Sequence, residues 1–151
     1  MIRIGIDVGG TGIQFGAIDE NMNILAEKSI PTETSIPFPE QVKKMTDAVV
    51  STVEAAGCTL EQVASVGVGV PGVANPSNGV IDRCPNMGWF HVPFREEFRR
   101  HISVPLFIDN DANVAALAES VAGVSAGTSS SVFITIGTGI GSGIIGAAML
   151  S

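Results

Sequence analysis

The sequence predicts an α/β fold, a lobe whose mixed sheet opens with three antiparallel strands, followed by the first hairpin of a second lobe. Three observations carry this. Apolar residues alternate with polar or small ones at Ile2, Ile4, Ile6 and again at Ile13, Phe15, Ala17, the period of a strand buried on one face. Helical and strand patterns then alternate along the chain. Two glycine-rich turns of the same design, Asp7-Val8-Gly9-Gly10-Thr11-Gly12 and Gly137-Thr138-Gly139-Ile140-Gly141-Ser142-Gly143, stand near opposite ends, each between two apolar runs.

The first strand ends at the first glycine turn, the second runs through Ala17, and Asn21-Met22-Asn23 turns the chain into a third at Ile24-Leu25-Ala26. Pro31 to Pro39 reads as a loop. Pro39 suits a first helical turn and starts an amphipathic helix with Val42, Met45, Val49, Val53 and Ala56 inward, stopped by Gly57. Val63 to Val70 is a buried strand ending at Pro71-Gly72. The following stretches, Val73 to Gly79 and Cys84 to Trp89, read as loops. Phe94, Phe98 and Ile102 mark a short helix, Val104 to Ile108 a strand, and about Ala112 to Ala122 a helix with Val114, Leu117, Ala118 and Val121 on one side and Gly123 as its stop. The small polar run Gly127 to Ser131 is a linker, and Val132 to Ile145 forms a hairpin whose apolar faces nothing later in the sequence covers. The expected organisation is therefore a lobe over 1–123, a linker over 124–131 and the start of a second lobe over 132–151, the N-terminal part of a larger protein or a natural truncation.

Composition narrows the function classes. With 151 residues, 45% of them hydrophobic, the chain has enough material for one domain core. No run reaches the ~20 apolar residues of a membrane span, and no basic stretch leads into a signal core, so a cytoplasmic protein without a membrane partner is expected. A formal net charge of −7 argues against a nucleic-acid partner, because phosphate backbones are held by clustered Lys and Arg, and the basic residues from Arg95 to His101 are interleaved with Glu96 and Glu97. Cys58 and Cys84 lack metal-ligand spacing and read as incidental thiols. The exposed hairpin from Val132 to Leu150 invites self-association, so a homo-oligomer is expected.

The two glycine turns carry the chemistry. Glycine lets backbone N–H groups approach an anion and threonine adds a hydroxyl donor, so Gly9, Gly10, Thr11 and Gly137, Thr138, Gly139 suit the two sides of a nucleotide phosphate chain. Asp7 lies at the mouth of the first turn. A carboxylate beside polyphosphate is repelled unless a cation lies between, which points to Mg²⁺ held through water; an Asx-type turn is the plainer alternative. Gly67-Val68-Gly69-Val70-Pro71-Gly72 matches a dinucleotide fingerprint but leads into a loop and not a helix, so that reading fails. Asp109-Asn110-Asp111-Ala112-Asn113 concentrates polar groups where a strand meets a helix. Asp111 there fits either a helix cap or a general base taking a proton from a substrate hydroxyl, and the residues alone leave both open. Trp89 reads as core or hinge packing in preference to a sugar platform, and His91 and His101 stand alone without ligand spacing.

In order and spacing these segments resemble the ROK family of sugar kinases, members of the actin/hexokinase/Hsp70 ATPase superfamily with a ribonuclease H-like, actin-like ATPase fold. The family's first phosphate motif resembles Asp7 to Thr11 and its second Gly137 to Gly143. Between them Gly69-Val70-Pro71-Gly72, Pro85-Asn86 with Trp89, and Asn110-Asp111-Ala112-Asn113 with Ala115 to Glu119 fall in the family's order. The resemblance covers essentially the whole chain and the N-terminal half of a family member. It implies ATP-dependent phosphorylation of a hexose, usually at O6, as in a glucokinase. Asp111 would be the general base, Gly72, Asn86, Asn110 and Asp111 would line the sugar pocket, and the partners would be a hexose and MgATP.

The resemblance also sets limits. Gly12 stands where many members carry lysine, removing a positive charge near the phosphates. The family's structural zinc cluster, the glutamates that grip the sugar's other hydroxyls and most of the adenosine pocket belong to its second half, so the chain alone is expected to be a poor catalyst. No helix-turn-helix precedes Met1, which weighs against the family's repressor branch. The alternatives carried forward are a non-catalytic sugar-binding or regulatory ROK protein and an Hsp70-like ATPase.

Overall fold

The computed structural model describes residues 1–136 and 140–146. Its centre is a five-stranded mixed sheet. Strands β1 (Ile2–Val8), β2 (Gly12–Ile18) and β3 (Ile24–Pro31) form an antiparallel meander; β4 (Val63–Val70) then inserts beside β1 and parallel to it. The order is completed by β8 (Leu106–Asn110), parallel to β4, giving β3-β2-β1-β4-β8. Every second residue of β1 is buried, which is the alternation that the sequence displays.

Helix α1 (Phe38–Ala55) crosses between β3 and β4 and covers one face of the sheet. It buries Val42, Met45, Val49 and Val53, starts on Pro37 to Pro39, and is followed by Gly57 at φ +70°, a left-handed position at little cost only for glycine. Beside it α2 (Phe94–Arg99) buries Phe94 and Phe98. Trp89 sits fully buried between Phe38 and Phe94, ring centroids 5.8 and 5.5 Å away, confirming it as core packing.

Three features differ from the sequence reading. The region from Val73 to Val92, in which Val73 to Gly79 and Cys84 to Trp89 read as loops and no strand was expected, contains a second small sheet, β5 (Val73–Asn75), β6 (Val80–Cys84) and β7 (Trp89–Val92), with Pro85–Met87 as a tight turn between the last two. Strand β8 begins two residues later than expected and runs on through Asn110, because Pro105 has no N–H to give to a ladder. Helix α3 (Asp111–Ala122) has the expected span, but the side bearing Val114, Leu117 and Val121 faces outward, with 37, 56 and 55% of their surface exposed, and its buried residues are Ala112 and Ala116. The reason lies in the hairpin of β9 (Ser131–Ile136) and β10 (Ile140–Ile145), which packs against α3. A side chain on Gly143 would run into Ala116 and the Ala112 carbonyl, so helix and hairpin meet through their smallest residues. No described helix is long and apolar enough to cross a membrane.

Candidate active site

The site grows from the C-terminal ends of the parallel strands, where sheet pairing sets Asp7 of β1 beside Gly69 of β4, and Gly69 beside Asp109 of β8. Two residues beyond Asp109 the chain enters α3, so Asp111 comes out at the level of Asp7. Both carboxylates line one cleft of about 290 Å³, with Gly69, Ala112 and Val114 beside them and Phe133 and Thr135 of the hairpin completing the wall. The carboxyl of Asp7 keeps solvent access on one side. Partial desolvation, and secondly repulsion from Asp111, push its pKa above the ordinary carboxylate value.

That shift has a sign. A carboxyl whose pKa is higher in the folded protein than in the unfolded chain costs stability once ionised; the cost is absent below the unfolded value and grows as pH rises through the folded one. Asp7→Asn is therefore expected to melt higher at pH 7, by about 1 °C because solvent screens the pair, and to lose that advantage in melts run near pH 4.

At the start of α3 the capping question is answered by Asn110. Its Oδ1 accepts from the Ala112 N–H at 2.9 Å, making it the N-cap, and Asp111 follows as the first helical residue with its own Oδ1 2.8 Å from the same N–H. The other end of the Asn110 amide donates to the Gly72 carbonyl at 3.0 Å, tying the helix start to the turn after β4. Asp109 is used locally, accepting from Asn110 N–H at 2.7 Å and Asn113 Nδ2 at 3.0 Å. The turn at Gly72 leads into β5 with no helix behind it, which agrees with the failed dinucleotide reading.

Gly72 tolerates no side chain. A Cβ there would collide with the Arg83 carbonyl on β6, and backbone cannot rotate aside. Gly72→Ala is expected to cost about 1–3 kcal/mol, read as a lowered urea midpoint, and to displace the Asn110 amide with it.

The first glycine turn is braced from outside. Gly9 N–H donates to Gly12 C=O at 3.0 Å, so among the three residues expected to hold phosphate only Gly10 and Thr11 have N–H groups with no acceptor among the described residues. Thr32, just past β3, donates its hydroxyl to Gly9 C=O at 2.7 Å and its N–H to Thr11 C=O at 3.1 Å. On the other flank Asn86 is exposed on the Pro85–Met87 turn, its Nδ2 3.5 Å from where a side chain on Gly10 would begin. Nothing in the sequence marks Thr32, one of two threonines in a proline-bounded loop. Nor does anything mark Gln41, buried on α1, which accepts from Trp89 Nε1 and donates to the carbonyls of Glu33 and Ile36 at 3.0 and 3.1 Å.

The structure thus brings Asp7, Gly9, Gly10, Thr11, Gly72, Asn86, Asn110 and Asp111 to one end of the sheet. Gly137, Thr138 and Gly139 lie outside the described residues. No cluster of three or more His, Cys, Asp or Glu occurs among the described residues, so Asp7 can offer a cation one carboxylate and not a closed cage. Cys84 is buried, and burial raises its thiol pKa, as befits an inert core residue.

Comparison with known proteins agrees with this architecture. A glucokinase of Streptomyces coelicolor is 39% identical over 144 residues, which span 95% of this chain and 43% of that protein. A xylose repressor of Caldicellulosiruptor bescii is 28% identical, over 94% of this chain and 36% of the repressor. Among solved structures, a ROK family glucokinase from Streptomyces griseus in complex with glucose and AMPPNP superposes with a TM-score of 0.78 at 32% identity, covering 97% of this chain and 45% of that one. The chain spans less than half the length of these relatives. The sequence model of the ROK family matches residues 3–150, and the chain belongs to the ROK family.

Proposed function

We propose that this chain is the N-terminal lobe, residues 1–123, of a cytoplasmic, ATP-dependent hexose kinase of glucokinase type, with 124–131 as linker and 132–151 opening the second lobe. The observation that carries the reading is the convergence of Asp7, at the mouth of the first glycine turn, and Asp111, at the start of α3, on one cleft. The similarity to glucokinases over nearly the whole chain supports it.

In this reading Asp111 takes the proton from the hexose hydroxyl, O6 in a glucokinase, as that oxygen attacks the γ-phosphate of ATP. Its place as the first residue of α3 sets it at the cleft, with Oδ1 2.8 Å from the Ala112 N–H. The Gly10 and Thr11 N–H groups and the Thr11 hydroxyl face the phosphates. Asn86 and Gly72 line the sugar side, and the remaining N–H of the Asn110 amide is available to a sugar hydroxyl. Gly137, Thr138 and Gly139 would grip the phosphates from the second lobe.

Mg²⁺ fits Asp7 on the chemistry of the donor set: one solvent-accessible carboxylate sharing a cleft with a second one suits a cation that keeps most of its water and takes its other ligands from phosphate. Bound there it would neutralise charge on the phosphates. With Gly12 in place of a lysine, the first glycine turn meets that charge with the Gly10 and Thr11 N–H groups and the Thr11 hydroxyl, and with no cationic side chain of its own. Closure of the second lobe over the cleft would exclude water, whose attack would waste ATP.

The xylose repressor among the relatives keeps a second reading open, a regulator that binds sugar without turnover. ADP formation from MgATP with glucose, fructose, mannose, allose and N-acetylmannosamine separates the readings. A kinase releases ADP only with its sugar, an Hsp70-like ATPase releases it without one, and a regulator binds sugar and releases none.

A further inference from the structure

We propose that Thr32 is a positioning residue that aims the Gly10 N–H at the nucleotide phosphates. The proposal rests on the reading that the first glycine turn holds phosphate. A peptide unit is planar and trans, so its C=O and N–H point in opposite directions. The Gly9 carbonyl and the Gly10 N–H share one such unit. Holding the carbonyl on the Thr32 hydroxyl at 2.7 Å therefore fixes the N–H on the opposite side, facing away from β3.

Such a brace is needed at this place. Glycine has little preference between peptide orientations, and Gly9-Gly10 is a pair of them. Two further bonds hold the turn's ends, Gly9 N–H to Gly12 C=O at 3.0 Å and Thr32 N–H to Thr11 C=O at 3.1 Å, but neither involves the Gly9–Gly10 peptide. The Thr32 hydroxyl is the group that orients that peptide. Thr32 itself is anchored, because the carbonyl of the next residue, Glu33, accepts from the Nε2 of buried Gln41.

The test uses the whole kinase of which this chain is proposed to be the N-terminal lobe, with Thr32→Val, which keeps the shape and removes the hydroxyl, and Thr32→Ser, which restores it. In Thr32→Val the KM for MgATP and the dissociation constant for MgADP are expected to rise about three- to tenfold, the worth of one neutral hydrogen bond. The hexose KM should stay within a factor of about two, Thr32→Ser should return both nucleotide constants to near their original values, and the Gly10 amide resonance should respond to MgADP in the Ser variant but only weakly in Val. Equal rises in both substrates' constants, an unchanged MgADP affinity, or failure of Thr32→Ser to restore it would overturn the proposal. If MgADP binds but no hexose supports turnover, the kinase reading fails while the MgADP and Gly10 arms still decide Thr32. If the unaltered protein does not bind MgADP, both fall.

Discussion

In the whole kinase proposed to carry this lobe, Asp111→Asn is expected to lower hexose-dependent turnover by a factor of about 10² to 10⁴ while leaving the KM values for hexose and MgATP nearly unchanged. The substituted amide has the same shape and retains an oxygen for the Ala112 N–H, so α3 keeps its start. What it loses is the ability to accept a proton, the role proposed for Asp111. Two opposing effects act on stability. A negative charge at a helix N-terminus contributes about 0.3–1 kcal/mol, which is lost, and repulsion with Asp7 is relieved. The melting temperature should therefore stay within about 2 °C of the unaltered protein, so that a loss of rate cannot be laid to unfolding. A comparable loss of turnover in a variant that melts far lower would mean that the site was disrupted and the chemistry untested.

The largest effect on stability is expected from Trp89→Ala. The indole fills the space between Phe38 and Phe94 and donates to buried Gln41, which in turn holds the carbonyls of Glu33 and Ile36. Removing it leaves a cavity and should cost about 3–5 kcal/mol, on the order of 10 °C in a chain of this size. That is a large share of the ~5–15 kcal/mol by which domains are stable. Trp89→Phe separates packing from hydrogen bonding: it keeps most of the volume but leaves Gln41 Oε1 buried without its donor, for a cost of about 1–3 kcal/mol. Urea unfolding of both variants measures the two contributions. A Trp89→Ala protein as stable as the original would show that the tryptophan serves a ligand and not the core.

Much of this was legible because period and position carry physical meaning. The alternation in β1, the apolar spacing of α1 and the proline and glycine that bound it each have a local cause, and each was found where the sequence put it. The strands β5 to β7 were hidden because they are only three to five residues long, too short for a period to show, and are divided by Asn, Gly and Pro that read as loop. Helix α3 misled for another reason. Its large apolar residues suggest an inward face, yet the hairpin approaches so closely that only Ala112 and Ala116 fit between them.

At the site, Asp7 and Asp111 could be singled out because each ends or follows a strand where ligands approach an open sheet. At Asn110, which the family resemblance places at the sugar, the structure adds two local bonds that the sequence does not display, Oδ1 capping α3 and Nδ2 holding the Gly72 carbonyl. Thr32 could not be read at all. Its importance comes from a bond across 23 residues to a carbonyl, and no side-chain pattern in the sequence records where a backbone carbonyl will point.

Phosphorus NMR of the products formed from MgATP and a hexose tests the central assignment most directly. Expected is a sugar phosphomonoester appearing one for one with ADP, at the 6-position for glucose, and absent when Asp111 is replaced by Asn. ADP accompanied only by inorganic phosphate, or sugar phosphate formed undiminished by the Asp111→Asn protein, would contradict it.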